Sequence, residues 1–281
     1  MSLVKVRELE RMADEQNACV LAFNVGSWMQ IETVIKTAEE LNKPVILMLD
    51  PRFYTMGHWI DPETFAVAVK QVADTVKVPI SFHLDHCWDF DLIERALKAG
   101  FPSVMYDGST LPIEENIANT RKVVEMAKKY DADVEAELGH VGFAVNRDGV
   151  TDDLYTQPKD VEEFTKQTGC SAIAVAIGSA HGVYIETPKL DLERLEKINS
   201  ITDTPIVLHG GSGIPEDQLR AAFKRGINKL NVGTELNILM KEAMKDFGLD
   251  ESPNAIWFPL LLQERLREYL LEKMQLSEIK L

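Results

Sequence analysis

Short apolar runs of strand length alternate along the chain with longer amphipathic stretches of helical period. Proline, glycine or polar residues bound most of the runs, which is typical of strands buried in a parallel sheet. The predicted strands are Cys19–Asn24, Pro44–Asp50, Val78–Cys87, Ser103–Asp107, Asp133–Gly139, Ala172–Gly178, Pro205–Gly211 and Lys229–Gly233. Helical patterns follow at Trp28–Leu41, Pro62–Val76, Phe90–Ala99, Ile113–Tyr130, about 160–167 and from Pro215. Eight strands alternating with helices close a barrel, so we predict an α/β fold of the (β/α)8 TIM barrel type.

Amphipathic segments flank the predicted barrel at both ends. Val4–Gln16 is predicted as a short helix that caps one end of the fold. The barrel is expected at about 15–240 and a helical tail at about 241–281, together one domain over 1–281. The tail carries a long leucine-rich face, which either packs on its own barrel or contacts a second subunit; both interpretations stay open.

The composition narrows the partners of this chain of 281 residues. Its formal net charge of −15 argues against nucleic acid or an anionic membrane as the main partner. No apolar run approaches the ~20 residues of a membrane helix, and no secretory signal pattern opens the sequence. The three cysteines lack metal-type spacing and cannot all pair. We therefore expect a cytoplasmic protein.

Polar residues stand at the end of every predicted strand. In chain order they are Asn24, Asp50, Asp85 with His86, Asp107, Glu137, His181, His209 and Asn231. Barrel enzymes place their chemistry at the carboxyl ends of the strands, so these residues are expected to form one ring. Helix capping explains an isolated Asp or Asn, but it does not favour histidine at three strand ends.

Three imidazoles among carboxylates suit a divalent transition metal. His86, His181 and His209 are the candidate ligands, with Glu137 as a further or exchangeable one. Zinc is the expected ion, with cobalt, manganese and iron as alternatives and a monovalent cation as an additional cofactor candidate. Asp107 would orient a ligand histidine or hold a displaced metal.

Asp85 needs a separate role, since it lies between two histidines and beside the expected cation. It is placed to exchange a proton with a substrate hydroxyl, as general base or acid. His83 is expected to support Asp85 through a hydrogen bond. His58 is predicted to be a surface residue, and the role of His140 stays open.

Two glycine-containing turns predict a phosphate site. Leu208–Gly213 follows a candidate ligand directly, and Asn231–Thr234 ends the neighbouring strand. Backbone amides in such turns bind phosphate, and barrels often place phosphate after strands seven and eight. Metal, phosphate and acid/base group together indicate enediolate chemistry on a small sugar phosphate.

Six motifs extend this interpretation. They are His-Leu-Asp-His at 83–86, Ser-Val-Met-Tyr-Asp-Gly-Ser at 103–109, Glu-Ala-Glu-Leu-Gly at 135–139, Ala-His-Gly-Val-Tyr at 180–184, Leu-His-Gly-Gly-Ser-Gly at 208–213 and Asn-Val-Gly-Thr at 231–234. As a set, over roughly residues 15–240, they resemble the class II, metal-dependent aldolases that cleave ketose bisphosphates. The pattern is closer to the tagatose-bisphosphate branch than to the longer fructose-bisphosphate enzymes.

The resemblance implies roles for individual residues. His86, His181 and His209 would bind zinc with Glu137, Asp107 would be a second-position ligand, and Asp85 would be the proton donor. The residues that would hold the dihydroxyacetone phosphate moiety are Gly182, Gly210, Gly211, Ser212, Asn231, Val232, Gly233 and Thr234, with Asn24 as a further substrate contact. Members of the family are usually dimers or tetramers, so a homodimer or homotetramer is expected.

Two segments depart from the family pattern. The loop after Gly142 lacks the usual acidic pair, so Asp148, Asp152, Asp153 or another group would have to move the carbon-bound proton. Asp50-Pro51-Arg52-Phe53 stands where a small or hydroxyl residue is common. The aldehyde substrate can therefore differ from glyceraldehyde 3-phosphate. Its candidate contacts are Asp50, Arg52 and Arg147.

The expected activity is reversible aldol cleavage of a ketose 1-phosphate or 1,6-bisphosphate, in carbohydrate metabolism. The products would be dihydroxyacetone phosphate and an aldehyde, by way of a zinc-stabilised enediolate. A metal-dependent sugar-phosphate epimerase or isomerase is one alternative, although it would need two acid/base groups where the ring offers one clear aspartate. A non-catalytic, aldolase-like subunit is the other.

Overall fold

The computed structural model describes residues 2–56, 59–142, 144, 155–248 and 257–281. Parallel strands form a closed barrel in chain order, with the last strand paired to the first. The strands are β1 Val20–Asn24, β2 Val45–Leu49, β3 Ile80–Cys87, β4 Ser103–Tyr106, β5 Asp133–Leu138, β6 Ala172–Val175, β7 Ile206–Leu208 and β8 Ile227–Val232. The predicted (β/α)8 barrel is confirmed, and only β8 begins earlier than predicted.

Helices alternate with these strands. They are α1 Val6–Glu15, α2 Trp28–Leu41, α3 Arg52–Thr55, α4 Pro62–Ala73, α5 Phe90–Ala99, α6 Ile113–Ala127, α7 Pro158–Thr168, α8 Leu192–Asn199, α9 Glu216–Phe223, α10 Thr234–Gly248 and α11 Trp257–Lys273. Side chains at the N-caps fix several of the starts, as where Ser27 accepts the Gln30 amide and Asp89 accepts the Leu92 amide. The helix predicted to reach Tyr130 ends at Ala127 and continues as a 3-10 turn.

Two apolar layers hold the barrel. Outside it, strand side chains pack against the helices, as where Phe82 of β3 meets Phe101 with ring centroids 4.9 Å apart. At the amino-terminal end of the strands, Leu9 and Ala13 of α1 pack on Val20 and Met48. Helix α1 therefore closes the bottom of the barrel, as the sequence predicted.

The barrel interior becomes polar toward the carboxyl ends of the strands. Side chains alternate between the faces of a strand, so every second residue points inward. The inward positions of three strands carry polar groups, all at most 7% exposed: Ser81, His83 and Asp85 on β3, Asp133, Glu135 and Glu137 on β5, and Lys229 and Asn231 on β8. This polar column leads to the open end of the barrel.

The carboxyl-terminal tail packs on its own chain. Helix α11 lies against α2 and α10, with Leu262, Leu266 and Leu270 buried. Arg267 of α11 reaches Glu40 of α2 at 2.6 Å. Part of the leucine-rich face is therefore buried within the chain, whereas Leu260 is 52% exposed. Within the described residues, no helix has the length and apolar character needed to cross a bilayer.

Candidate active site

Three histidines converge at the carboxyl ends of the strands. The His86 ring centroid lies 4.6 Å from that of His209 and 4.8 Å from that of His181. One ring nitrogen from each lies within 4.8 Å of the others, and His86, Asp107 and Glu137 form a second such group. The five candidate ligands predicted from sequence therefore lie together.

A bulge in β3 makes this convergence possible. Regular alternation would send Asp85 and His86 to opposite faces of the strand. The pairing with β4 shifts register between Leu84 and Cys87, and His86 has a φ of 42°. A left-handed residue in a bulge re-aims its side chain, so both groups reach the mouth of the barrel.

Hydrogen bonds orient each imidazole. Nε2 of His209 donates to Oε1 of Glu135 at 2.8 Å, which in the neutral ring leaves the lone pair on Nδ1. Nδ1 of His181 donates to the carbonyl of Val141 at 3.0 Å, and Nδ1 of His86 donates to Asp107 at 2.8 Å. Such outer contacts fix the rotamers that a metal ligand needs.

The buried donor set fits a cation. Glu137 Oε2 and His209 Nδ1 lie 3.2 Å apart, and neither makes a hydrogen bond within the part of the chain that the structure describes. Buried polar atoms are normally satisfied, so lone pairs that face one space are an arrangement that a metal ion completes.

Charge is concentrated around His86. Burial opposes its protonation, but the carboxylates of Asp85 and Asp107 outweigh burial and raise the pKa of His86 to about 10. Burial likewise favours neutral Asp85, yet His86, His209 and Lys229 lower the pKa of Asp85 to about 2. The aspartate is thus an anion at neutral pH, and the histidine holds a proton that a metal ion would displace.

Asp85 is held by two amides. Asn24 donates to Oδ2 and Asn231 to Oδ1, each at 3.0 Å. The hydrogen bond predicted from His83 was wrong, since Nδ1 of His83 bonds to Ser103 at 2.8 Å. His83 lies two residues earlier on β3 and therefore one layer deeper in the barrel. Burial and Lys229 lower its pKa to about 3, so it is neutral.

A buried ion pair supports the site from below, and the sequence analysis missed it. Lys229 Nζ lies 2.8 Å from both Glu135 Oε2 and Asn231 Oδ1. Glu135 also accepts from His209, and Asn231 also donates to Asp85, so Lys229 helps to fix the position of both site residues. The signal was present, because Lys229 shares a strand face with Asn231 just as Glu135 does with Glu137.

A cavity of about 280 Å³ beside the histidines contains most of the predicted phosphate residues. Those that line it are Asn24, Gly182, Gly210, Ser212, Asn231, Gly233 and Thr234. Gly210 has a φ of 67°, and a Cβ there would lie 2.3 Å from the Ala180 carbonyl oxygen, so only glycine fits. We call this space the glycine-lined cavity.

Two residues predicted for phosphate lie elsewhere. The Gly211 amide donates to the Asn231 carbonyl at 3.1 Å, so it is already used within the fold. Val232 is fully buried in the layer between strands and helices. Neighbouring residues along an extended backbone point to opposite sides, so only some members of each motif face a ligand.

A second and larger cavity opens on the other side of the histidine cluster, with a volume of about 650 Å³. Asp50 and Arg52 line both cavities. Nε of Arg52 donates to the two carboxylate oxygens of Asp50 at 2.9 and 2.8 Å. His140, whose role the sequence left open, lines the larger cavity. We call it the distal cavity.

The chain is similar to known proteins along nearly its full length. A family profile described as Fructose-bisphosphate aldolase class-II matches residues 4–279. The chain belongs to this family. It is 38% identical over 257 residues to the D-tagatose-1,6-bisphosphate aldolase subunit GatY of Klebsiella oxytoca, which covers 91% of this chain and 89% of that protein. The protein is therefore an aldolase, a carbon–carbon lyase.

Solved structures agree on the aldolase fold. The YdjI aldolase from Escherichia coli K12 matches with a TM-score of 0.87 and 31% identity, covering 99% of this chain and 98% of that one. A putative fructose-1,6-biphosphate aldolase from Coccidioides immitis matches with a TM-score of 0.86 and 26% identity, covering 98% and 96%.

Several residues singled out from the sequence belong to segments outside the described residues. Arg147, His58 and the three aspartates suggested for moving the carbon-bound proton lie outside the described residues. The three aspartates are Asp148, Asp152 and Asp153. Next to that segment, the Ala144 amide donates to the His181 carbonyl at 2.9 Å and the His181 amide to the Gly142 carbonyl at 2.7 Å. The loop after β5 thus holds a candidate ligand in place.

Proposed function

We propose that this protein is a zinc-dependent aldolase that reversibly cleaves a ketose 1-phosphate or 1,6-bisphosphate into dihydroxyacetone phosphate and an aldehyde. The observation that carries the proposal is the position of Asp85, an ionised carboxylate held by two amides beside three converging histidines. The acid/base group, the metal ligands and the turn expected to bind phosphate therefore border one space. Membership of the class II family and identity to a tagatose-bisphosphate aldolase support it.

The metal would be held by His86, His181 and His209, with Glu137 as a further ligand and Asp107 as the alternative. Three imidazoles and a carboxylate form a donor set that suits zinc. A divalent ion bound there would polarise the substrate carbonyl and stabilise negative charge on its oxygen. Glu135 and the Val141 carbonyl fix the orientations of His209 and His181 in advance.

Asp85 would move the proton of the hydroxyl at the bond that is broken. In cleavage its carboxylate takes the proton from the hydroxyl that becomes the aldehyde oxygen, and in condensation it returns the proton. Its low pKa keeps it an anion at neutral pH, the form that can accept a proton. Asn24 and Asn231 donate to both carboxylate oxygens and so orient Asp85 toward substrate in the glycine-lined cavity.

The phosphate of dihydroxyacetone phosphate would lie in the glycine-lined cavity. Gly210 allows the backbone to approach closely, and α10 begins at Thr234 on the rim of the same space. The amino terminus of a helix attracts anions. This local site explains how a chain with a net charge of −15 can bind an anionic sugar phosphate.

We further propose a homodimer or homotetramer in the cytoplasm. The family resemblance supports an oligomer, and the relative from Klebsiella oxytoca is described as a subunit. Three free, buried thiols at Cys19, Cys87 and Cys170 suit a reducing compartment.

Replacement of Asp85 tests the proposal. Zinc-loaded Asp85→Asn protein should condense dihydroxyacetone phosphate with aldehydes about 10²–10⁴-fold more slowly than wild type, because the proton has no carrier. Its zinc content should equal that of wild type. The matched control is Asp91→Asn, an exposed aspartate in the first turn of α5.

Full activity of Asp85→Asn would remove this residue from its role. Absence of turnover in zinc-loaded wild type with every aldehyde tried would favour the non-catalytic subunit instead.

A further inference from the structure

The two cavities that meet at the histidine cluster differ in size and in chemistry. The glycine-lined cavity, at about 280 Å³, offers backbone turns and a helix start. The distal cavity, at about 650 Å³, extends from His86 toward the beginning of α6. That volume lies in the range that encloses a whole small-molecule ligand. The distal cavity is therefore large for a three-carbon aldehyde.

Neutral polar side chains line part of the distal cavity. Ser109 and Thr110 contribute hydroxyls, and the Tyr106 hydroxyl accepts a hydrogen bond from Asn119 at 2.9 Å. Trp88, which is 66% exposed, adds an apolar aromatic surface. Hydroxyl, amide and aromatic groups together bind the hydroxyls and C–H faces of a polyol.

The charges of the distal cavity disfavour a phosphate. Asp50, Asp107 and Glu115 are the carboxylates that line it, and Arg52 is the one lysine or arginine among the described lining residues. Because His86 donates to Asp107 and Arg52 pairs with Asp50, the carboxylate of Glu115 is the charge that would meet a phosphate. The Arg52 guanidinium is already paired with both oxygens of Asp50. Glu115 also lies in the first turn of α6, beside Glu114, where it neutralises the positive end of the helix.

We infer that the distal cavity binds an unphosphorylated, polyhydroxylated aldehyde of roughly four to six carbons. The inference rests on the proposed function and narrows its substrate class, since the ketose would then carry a single phosphate. In the condensation, one carbon–carbon bond forms between the hydroxymethyl carbon of dihydroxyacetone phosphate and the aldehyde carbon. The hydroxymethyl carbon loses one proton and the aldehyde oxygen gains one, so the reaction is balanced without another reactant.

A panel of aldehydes tests the inference. Zinc-loaded protein is assayed for condensation of dihydroxyacetone phosphate with neutral aldotetroses and aldopentoses and with glyceraldehyde 3-phosphate. We expect kcat/KM per free aldehyde to be at least about tenfold higher for the best neutral aldose, a difference that a few polar contacts supply. A higher value for glyceraldehyde 3-phosphate would overturn the inference.

A second readout separates this inference from the proposed function. Exchange of a hydroxymethyl proton of dihydroxyacetone phosphate with D2O, followed by NMR, needs the metal, the glycine-lined cavity and the group that moves the carbon-bound proton, but no aldehyde. Exchange together with a preference for glyceraldehyde 3-phosphate overturns the substrate class alone. Absence of exchange overturns the proposed function and this inference with it.

A charge reversal provides the matched pair of variants. Glu115→Lys places a cation in the distal cavity, whereas Glu114→Lys makes the same change one residue away, outside the residues that line it. We expect kcat/KM for glyceraldehyde 3-phosphate to be about tenfold higher in Glu115→Lys than in Glu114→Lys, because the cation attracts the phosphate. Equal values would show that the charge of this cavity does not select the aldehyde and would overturn the inference.

Discussion

Glu10 is a buried carboxylate that the proposed chemistry does not use. It lies on the inner face of α1, it is 0% exposed, and neither of its oxygens has a hydrogen bond within the described residues. Burial raises its pKa well above the usual range, the Glu135 and Asp133 carboxylates add to the shift, and Lys229 opposes it. The folded protein therefore binds the Glu10 proton more tightly than the unfolded chain does.

The sign of this shift gives a prediction for Glu10→Gln. Below its unfolded pKa of about 4.3, Glu10 is protonated in both states and does not change the free energy of unfolding. As the pH rises toward and through its raised folded pKa, Glu10 lowers that free energy. The variant and wild type should thus unfold at equal free energies near pH 4. By pH 8 the variant should be more stable by about 1–3 kcal/mol, because ionisation of Glu10 favours the unfolded wild-type chain and the amide of the variant does not ionise.

Urea unfolding across this pH range measures the difference. The control is Glu15→Gln, an exposed residue at the end of the same helix, whose difference from wild type should stay nearly constant. A stability difference for Glu10→Gln that did not grow with pH would contradict a raised pKa for Glu10.

Among single residues, the sequence predicted which side chains belong to the site better than it predicted their hydrogen-bond partners. The ring of strand-end residues came from period-two alternation, which assigns each side chain to a face. Alternation does not give depth, so His83 was expected to bond to Asp85 when its partner is Ser103. The carboxylate is held by Asn24 and Asn231, from strands that neighbour each other in the barrel but not in sequence.

Among the elements, helix α11 has a role that its sequence did not reveal. Its Tyr269 hydroxyl donates to Oε2 of Glu235, and Lys273 lies 3.0 Å from the same carboxylate. Oε1 of Glu235 accepts the Gly213 amide at 3.1 Å. Because Gly213 follows Ser212 on the rim of the glycine-lined cavity, the tail holds the turn expected to bind phosphate.

Tyr269→Phe tests this coupling between tail and turn. Loss of one hydrogen bond of about 0.5–1.5 kcal/mol should raise KM for dihydroxyacetone phosphate about two- to tenfold, with little change in kcat. Steady-state kinetics at a fixed concentration of aldehyde measure KM and kcat separately. Tyr130→Phe, in the 3-10 turn after α6, is the control for loss of a hydroxyl. Equal KM values in the two variants would show that α11 does not position the turn.

The positions of most elements followed from the sequence because strand and helix periods differ clearly, although α8 was not predicted. Helices α2 and α5 have the predicted ends, which Ser27 and Asp89 fix as N-caps. The bulge at His86 was not foreseen, since nothing in His-Leu-Asp-His signals a left-handed backbone at a non-glycine residue. That local strain is what brings Asp85 and His86 to one space, and tertiary contacts impose it.

For the molecule as a whole, barrel closure makes one site from eight strand ends. Alternating strands and helices were enough to predict the fold and the ring, because eight strands alternating with helices are typical of a closed parallel barrel with its site at the carboxyl ends of the strands. The cavities were beyond prediction, since their volumes depend on how loops after different strands pack. Asp50 and Arg52, which the sequence predicted as aldehyde contacts, line both cavities.

The central claim is that catalysis depends on a metal held by His86, His181 and His209, and a zinc titration tests it most directly. Chelator-treated protein, shown to be metal-free by elemental analysis and folded by circular dichroism, is titrated with zinc during aldol condensation of dihydroxyacetone phosphate. Activity should be negligible at first and should rise linearly to about one equivalent of zinc per chain. Undiminished turnover in the metal-free protein would contradict the account.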